Sequence, residues 1–401
     1  MSRGDNPMGD LVRVLLVGVG GYGNSYVNEL LNDHSANVSI VGIVDPKPEG
    51  CERFSEIQNQ GIPVFDCISE FYQGHSADLA VISSPIPFHR EQVCFALENQ
   101  SHVLCEKPLS ASIVDAYAMI DKHRESNKFL AVGYQWSYSA AIQKLKHDIS
   151  KGFLGAPKRF KTLIMWPRDK HYYARSWAGR RTDGHGNLVL DSVANNATAH
   201  YLHNMFYVLG SKPDTSVLPV QVEAELYRMN DIEMYDTAAA RIITENDVEL
   251  MYYATHATTI TVEPQFTYEF EEASVEFHAP GNIIAHFRDG LTKDYGDPFA
   301  DVMRKLWLSV GAVYDQEPVL CPAEATLSHI MTIHAMEKSM PSIQHFPSEL
   351  HRYDSQAEIK WVYGLSDALS ESYSSNKLPS ECGVLWAKKG KMVEVKSEKA
   401  T

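Results

Sequence analysis

The stretch Gly18-Val19-Gly20-Gly21-Tyr22-Gly23 stands directly after the apolar run 11–17 and directly before a segment of helical period. That placement constrains the fold more than any other feature of the chain. A G-x-G-x-x-G between a strand and a helix predicts a turn made by Gly18, a backbone at Gly20 open to a pyrophosphate, and close helix-on-strand packing at Gly23. The helix N-terminus then faces the phosphate charge. The next apolar run, 38–44, ends in Asp45, 22 residues after Gly23. A carboxylate there accepts from a ribose 2′-hydroxyl and repels a 2′-phosphate, so NAD is expected rather than NADP.

Short apolar runs at 11–17, 38–44, 63–65, 79–82, 102–105 and 129–132 alternate with helix-period segments. Unbroken apolar strands separated by helices predict a doubly wound parallel sheet covered on both faces. After Gly133 the texture changes. A helix over 140–150 is followed by strand-like runs at 158–166, 220–226, 238–243, 248–253, 266–270 and 274–278, with no helical crossovers between the later ones. These predict a mostly antiparallel sheet, with helix-period stretches at 199–209, 323–338 and 355–369 as its cover. The chain is therefore read as α/β, with an N-terminal dinucleotide-binding domain over 10–133 and a C-terminal α+β domain over 134–401.

The 401 residues carry 36 Lys and Arg against 51 Asp and Glu, a formal charge of −15. Such a field repels phosphate backbones and anionic lipid, so neither nucleic acid nor membrane is an expected partner. The six cysteines form no C-x-x-C pair, which excludes a disulfide scaffold and points to a cytoplasmic setting. The polar first ten residues are expected to hold no signal or anchor. Lys388, Lys389, Lys391, Lys396 and Lys399 are read as an exposed, solvated tail without function.

Ligands of open α/β sheets bind at the carboxyl edge, where Ser83-Ser84-Pro85-Ile86-Pro87-Phe88-His89 and Cys105-Glu106-Lys107-Pro108 follow the fourth and fifth strands. Lys107 is placed there to orient a substrate hydroxyl and, if desolvated, to exchange a proton; the plain alternative is a surface lysine before a turn proline. Asn196, His200 and His203 fall at helical spacing and are expected to share one face. His200-Tyr201-Leu202-His203, with His185 or His171, is not H-E-x-x-H, and no carboxylate stands at ligand spacing, so no metal is expected. From Trp166 and Arg168 to Trp177, Arg180 and Arg181, aromatic faces and guanidinium forks suit a polyhydroxylated ligand or the rim of a subunit contact.

These motifs together resemble the glucose-fructose oxidoreductase and inositol dehydrogenase family (Gfo/Idh/MocA). Gly133-Tyr134-Gln135, Lys151-Gly152-Phe153-Leu154-Gly155, Tyr172-Tyr173 to Trp177, and His200 before Leu209-Gly210 follow in the family's order. The resemblance implies a Rossmann domain, a C-terminal domain whose open sheet forms a homodimer or homotetramer, and NAD(P)-dependent oxidation of sugars or polyols. It implies catalysis by Lys107 and His200, with Asn196 where the family has an aspartate four residues before the histidine. It further implies cofactor contacts at Gly18, Gly20, Gly21, Tyr22, Gly23, Asp45, Ser83, Ser84, Pro85, Pro87, His89, Glu106, Lys107 and Gln135. The substrate contacts expected are Trp166, Arg168, Trp177, Arg180, Arg181, Asp191 and His203. Two rival functions remain: an NAD-using glycosidase working by transient oxidation and elimination, and a non-catalytic dinucleotide-binding protein.

Overall fold

The first apolar runs become strands β1 (Val12–Val17), β2 (Val38–Val44), β3 (Val64–Phe65), β4 (Leu79–Ile82), β5 (His102–Cys105) and β6 (Leu130–Val132). This is seen in a computed structural model that describes residues 11–32, 37–314 and 317–396. The six strands pair in parallel in the order β3-β2-β1-β4-β5-β6. Val14, Leu16, Leu79, Val81 and Leu104 are buried together with Tyr26 and Val27 of helix α1 (Gly23–Asn32). Covering helices explain why the strands read as unbroken apolar runs. The strand order reverses between β1 and β4, and at such a switch point the carboxyl ends open a crevice.

The compact unit holding this sheet also contains residues 302–323. A boundary at 133/134 assigns that segment to the second domain, so the expectation is corrected there. The reason is core packing. Helix Arg304–Ala312 places Leu306 and Val310 in the same buried cluster as Val14, Leu16 and Leu104.

The second compact unit is built on β7 (Pro157–Met165), β8 (Pro219–Arg228), β9 (Thr237–Thr244), β10 (Glu249–Thr255), β11 (Val262–Phe270), β12 (Ala273–His278), β13 (Ile283–Phe287) and β14 (Thr292–Gly296). Their order is β14-β13-β12-β11-β7-β10-β9-β8, and only β7 with β10 runs parallel among them. Two short strands, Gln344–His345 and Val393–Glu394, add to β8. Helices Ala199–Val208 and Leu327–Ser339 cover one face, where Asn204 donates to the Tyr268 hydroxyl at 3.0 Å and Ser339 accepts from the Ala224 N–H at 2.8 Å.

The sheet is open, as expected, with β14 at one edge and the short strands beside β8 at the other, and part of its opposite face is packed by the same chain. Leu163, Met165, Tyr227, Ala239, Met251 and Tyr253 are packed by Phe346, Val362, Leu365, Leu369, Tyr373 and Leu378 of the same chain. At the β12–β14 end of that face His278, His286, Thr292 and Asp294 are exposed. The stretch 355–369, expected as a helix, divides into a hairpin of His351–Asp354 with Ile359–Val362 and a helix, Leu365–Ser375. Lys388, Lys389, Lys391 and Lys396 are exposed, as expected, while the segment that carries them is tied to β8. Lys389 pairs with Glu223, the Lys388 N–H donates to the Tyr227 hydroxyl at 2.9 Å, and Gly390 lies so close to β8 that a Cβ would sit 2.1 Å from the Ala224 carbonyl. Lys399 lies outside the described residues.

Candidate active site

In the first unit, Gly18 takes φ +78, and a Cβ there would stand 2.7 Å from the Ser84 nitrogen. A Cβ at Gly23 would stand 2.2 Å from the Gly18 carbonyl oxygen. Side chains are therefore excluded at both positions by the contact of turn, helix and β4. At Gly20 the nearest atom to a Cβ is the Gly50 oxygen, at 3.9 Å, so the backbone there faces open space. Among the described residues the N–H groups of Gly20, Gly21 and Tyr22 donate to no protein acceptor. Asp45 is fixed at the end of β2 by the N–H groups of Val19 (2.9 Å) and Lys47 (2.8 Å), one on each oxygen. Each oxygen keeps acceptor capacity for a hydroxyl. Free donors for a diphosphate beside a fixed acceptor for a ribose fit a dinucleotide.

At the β4 edge the Ser83 hydroxyl donates to Gly18 O at 2.6 Å, and Pro85 and Pro87 flank and build the turn Ile86–Phe88. Gln135 follows β6 and opens the short helix Gln135–Tyr138. His89 was expected at the cofactor. It is instead buried, its ring nitrogens 2.9 Å from Ser84 O and 3.1 Å from Pro108 O. Burial, against those carbonyl contacts, holds the imidazole below its ordinary pKa, and the ring braces the loop after β4 against the loop after β5.

Glu106 is likewise corrected from cofactor contact to internal hub. Its carboxylate is buried, accepts from the Tyr26 hydroxyl at 2.6 Å and from the Lys107 N–H at 3.1 Å, and is paired with the buried Lys305 ammonium. Lys305 also donates to the Tyr22 hydroxyl at 3.0 Å, so one cation ties the glycine loop to the strand end that carries Lys107. Burial alone lifts a carboxyl; here the charge and hydrogen bond of Lys305 outweigh it and hold Glu106 below its ordinary pKa. Gly133 leaves the room required, since a Cβ there would stand 2.7 Å from Glu106. Nothing near residue 305 in the sequence marks Lys305 as a partner of this hub. A lysine on an otherwise apolar helix face was its one signal.

In the second unit Asn196 does not share an α-helical face with His200. It lies in a π-helical turn, Val193–Ala197, joined through Thr198 (φ −112) to the helix Ala199–Val208 that carries His200. Wide turns of this kind recur at functional sites. Asp191 is folded back onto it, one oxygen accepting from the Asn196 amide at 2.7 Å and the other from the Gly179 N–H at 2.6 Å. The preceding Leu190 takes φ +46, an uncommon conformation for a residue with a Cβ. His200 is half-buried, whereas His203 is 1% exposed, with Nε2 3.1 Å from the Ser137 hydroxyl. Burial, then the charges of His329 and Lys146, hold the His203 imidazole well below its ordinary pKa, so it is a neutral core residue and not part of a substrate wall.

Arg180 and Arg181 are also reassigned. Arg180 pairs with Glu233 at 3.2 Å, and Arg181 grips Glu337 with both terminal nitrogens, at 3.2 and 2.9 Å. Arg168 lies over the rings of Trp166 and Tyr172 (5.6 and 4.8 Å), and Arg175 over Tyr172 and Trp177 (3.9 and 4.4 Å). Trp166 meets Tyr201, the neighbour of His200, edge-on at 5.7 Å. His256, which sequence reasoning missed, holds Trp166 from behind through Nδ1 and the Trp166 carbonyl at 2.8 Å; burial, then Arg168, push its pKa down to about 3. Among the described residues no three His, Cys, Asp or Glu side chains gather at ligand distance.

The parallel sheet with its glycine loop and acidic β2 end defines a dinucleotide-binding Rossmann unit. Residues 12–134 match the model of the Gfo/Idh/MocA oxidoreductase family, NAD-binding Rossmann fold. It is 27% identical over 153 residues to the 1,5-anhydro-D-fructose reductase of Ensifer adhaerens, a match covering 37% of this chain and 43% of the relative. It is 28% identical over 200 residues to an inositol 2-dehydrogenase of Rubrobacter xylanophilus, covering 49% of this chain and 51% of the relative. The chain thus spans about half the length of the curated relatives it matches. The WlbA dehydrogenase of Bordetella pertussis, solved with NADH and UDP-GlcNAcA, is similar at a TM-score of 0.67 and 19% identity, over 82% of this chain and 97% of that one. An oxidoreductase of Agrobacterium radiobacter, solved with NAD+, L-tartaric acid and magnesium, is similar at 0.69 and 15% identity, over 82% and 96%. Among the described residues no helix is long and apolar enough to cross a membrane.

Proposed function

We propose that this protein is an NAD-dependent oxidoreductase acting on a carbinol of a sugar, a polyol or a derivative of one. The observation that carries the reading is the open glycine loop beside the fixed Asp45 carboxylate. Bound NAD supplies the hydride acceptor. The N–H groups of Gly20, Gly21 and Tyr22 hold the diphosphate, and Asp45 accepts from the ribose and disfavours NADP. Lys107 hydrogen-bonds the substrate oxygen, and His200 takes the hydroxyl proton, general-base help worth roughly 10² to 10⁴ in rate. Asn196, oriented by Asp191, presents its amide in place of the family's carboxylate.

Relatives named as reductases and dehydrogenases of anhydrofructose, inositol and glucose 6-phosphate support this substrate class. Six free thiols support a cytoplasmic setting. Self-association as a homodimer or homotetramer belongs to the same proposal, through the polar β12–β14 end of the sheet that the chain leaves uncovered. The test is NADH formation across a panel of sugars and polyols with Lys107→Ala and His200→Ala. Both variants are expected to turn over at least a hundredfold more slowly, His200→Ala with NAD binding unchanged. Unchanged turnover in either removes that residue from the mechanism. Release of a chromogenic aglycone without net NADH replaces the dehydrogenase with the glycosidase.

A further inference from the structure

The second unit has a cavity of about 430 Å³ whose wall includes Arg168, Tyr172 and Arg175. The guanidiniums differ from their neighbours in one respect. Arg180, Arg181, Arg159 and Arg241 are each paired with a carboxylate, whereas among the described residues neither Arg168 nor Arg175 has a carboxylate within 4.0 Å. The Arg168 Nε is buried and finds no acceptor among the described residues. Arg175 donates its Nε to the Tyr172 carbonyl at 2.9 Å, which fixes the guanidinium without supplying it a carboxylate.

The other charges lining this cavity do not cancel the two cations. Asp169 caps the short helix Lys170–Tyr173 by accepting the Tyr172 N–H at 2.8 Å. His171 meets Glu358 at 3.0 Å, and Glu358 also pairs with Lys170, so that carboxylate serves two cations. Two stacked guanidiniums without counter-ions, in a chain of formal charge −15, form a local positive site in an acidic protein. Stacking on Tyr172 and Trp177 holds the forks in fixed planes, and fixed planar forks select oxyanions over hydroxyls.

We propose that Arg168 and Arg175 bind an oxyanion on the substrate, so that the sugar is an acid or a phosphate ester and not a neutral sugar. The inference rests on the oxidoreductase reading for the identity of the ligand as a sugar, while the anion site rests on the arginines alone. Trp166, which lies under Arg168, and Tyr201 connect this wall to the helix carrying His200.

The test is calorimetric titration of the full-length protein, without cofactor, with D-glucuronate, D-glucose 6-phosphate and D-glucose. Wild type is expected to bind one or both anions at least tenfold more tightly than glucose. Arg168→Gln and Arg175→Gln are each expected to lose at least tenfold for the anion with no change for glucose, and Arg168→Lys to recover part of the loss. Preference for the carboxylate or the phosphate identifies which oxyanion the wall takes. Equal affinity for glucose and both anions, or anion affinity unchanged in both glutamine variants, overturns the proposal. NAD-dependent turnover of these ligands is scored separately: anion binding without NADH formation retains the site and overturns the oxidoreductase reading.

Discussion

Replacing Lys305 with methionine isolates the contribution of the hub beneath Lys107. The ammonium is 1% exposed and pairs with Glu106, so the variant leaves a buried carboxylate without its counter-ion. Breaking one side of such a pair costs roughly 3–5 kcal/mol. Glu106 keeps the Tyr26 hydroxyl and the Lys107 N–H, and methionine fills the volume of the lysine stem, so the lower end, about 3 kcal/mol, is expected. Hydrogen exchange on peptides covering β1 and β5 reads this unit alone, and that loss corresponds to amide opening faster by about two orders of magnitude. Adding Glu106→Gln removes the uncompensated charge, so Lys305→Met/Glu106→Gln should exchange more slowly than Lys305→Met. Exchange in Lys305→Met within a few-fold of wild type, or a double variant as fast as the two single losses added together, refutes the hub.

Asp45→Asn keeps an acceptor for the β2 turn but removes the charge. NAD is expected to bind about tenfold more weakly and NADP more tightly, as read by titration of both. Acid stability follows from the buried imidazoles. His256, pushed down to about 3 from 6.5, takes up a proton more readily unfolded than folded, so its stability contribution is lost as pH falls through 6.5. Between pH 7.5 and 5.5 the loss is about 1.4 kcal/mol, and His203 adds a loss of the same sign. His256→Asn, whose amide can still donate to the Trp166 carbonyl, should flatten the urea midpoint between those pH values by that amount. An unchanged slope contradicts the assignment.

Much of the first unit was legible because its strands are covered on both faces, so β2, β4 and β5 begin and end where the apolar runs do. The glycine loop and Asp45 were legible for a related reason: their spacing is imposed by one turn and one strand. What the sequence concealed depends on long-range pairing. Lys305 meets Glu106 across 199 residues, and the return of 302–323 to the first unit leaves no local mark. β13 and β14 escaped detection because their outward residues, His286, Thr292 and Asp294, are polar and exposed. The hairpin at 351–362 was hidden by a tight turn in which Glu358 takes φ +56, a conformation that its side chain does not announce. The roles of His89, Glu106 and His203 were misread because a family motif marks a position without distinguishing a side chain that touches the ligand from one that holds the loop in place.

A dinucleotide lying on the glycine loop is measured most directly by calorimetric titration of NAD into wild type and Gly20→Val. The Gly20 backbone faces open space, so a valine side chain there folds without clash but occupies the diphosphate's place. Saturable one-to-one binding in wild type, abolished in a Gly20→Val protein of unchanged melting temperature, is the predicted result. No binding by wild type, or equal binding by both, contradicts it.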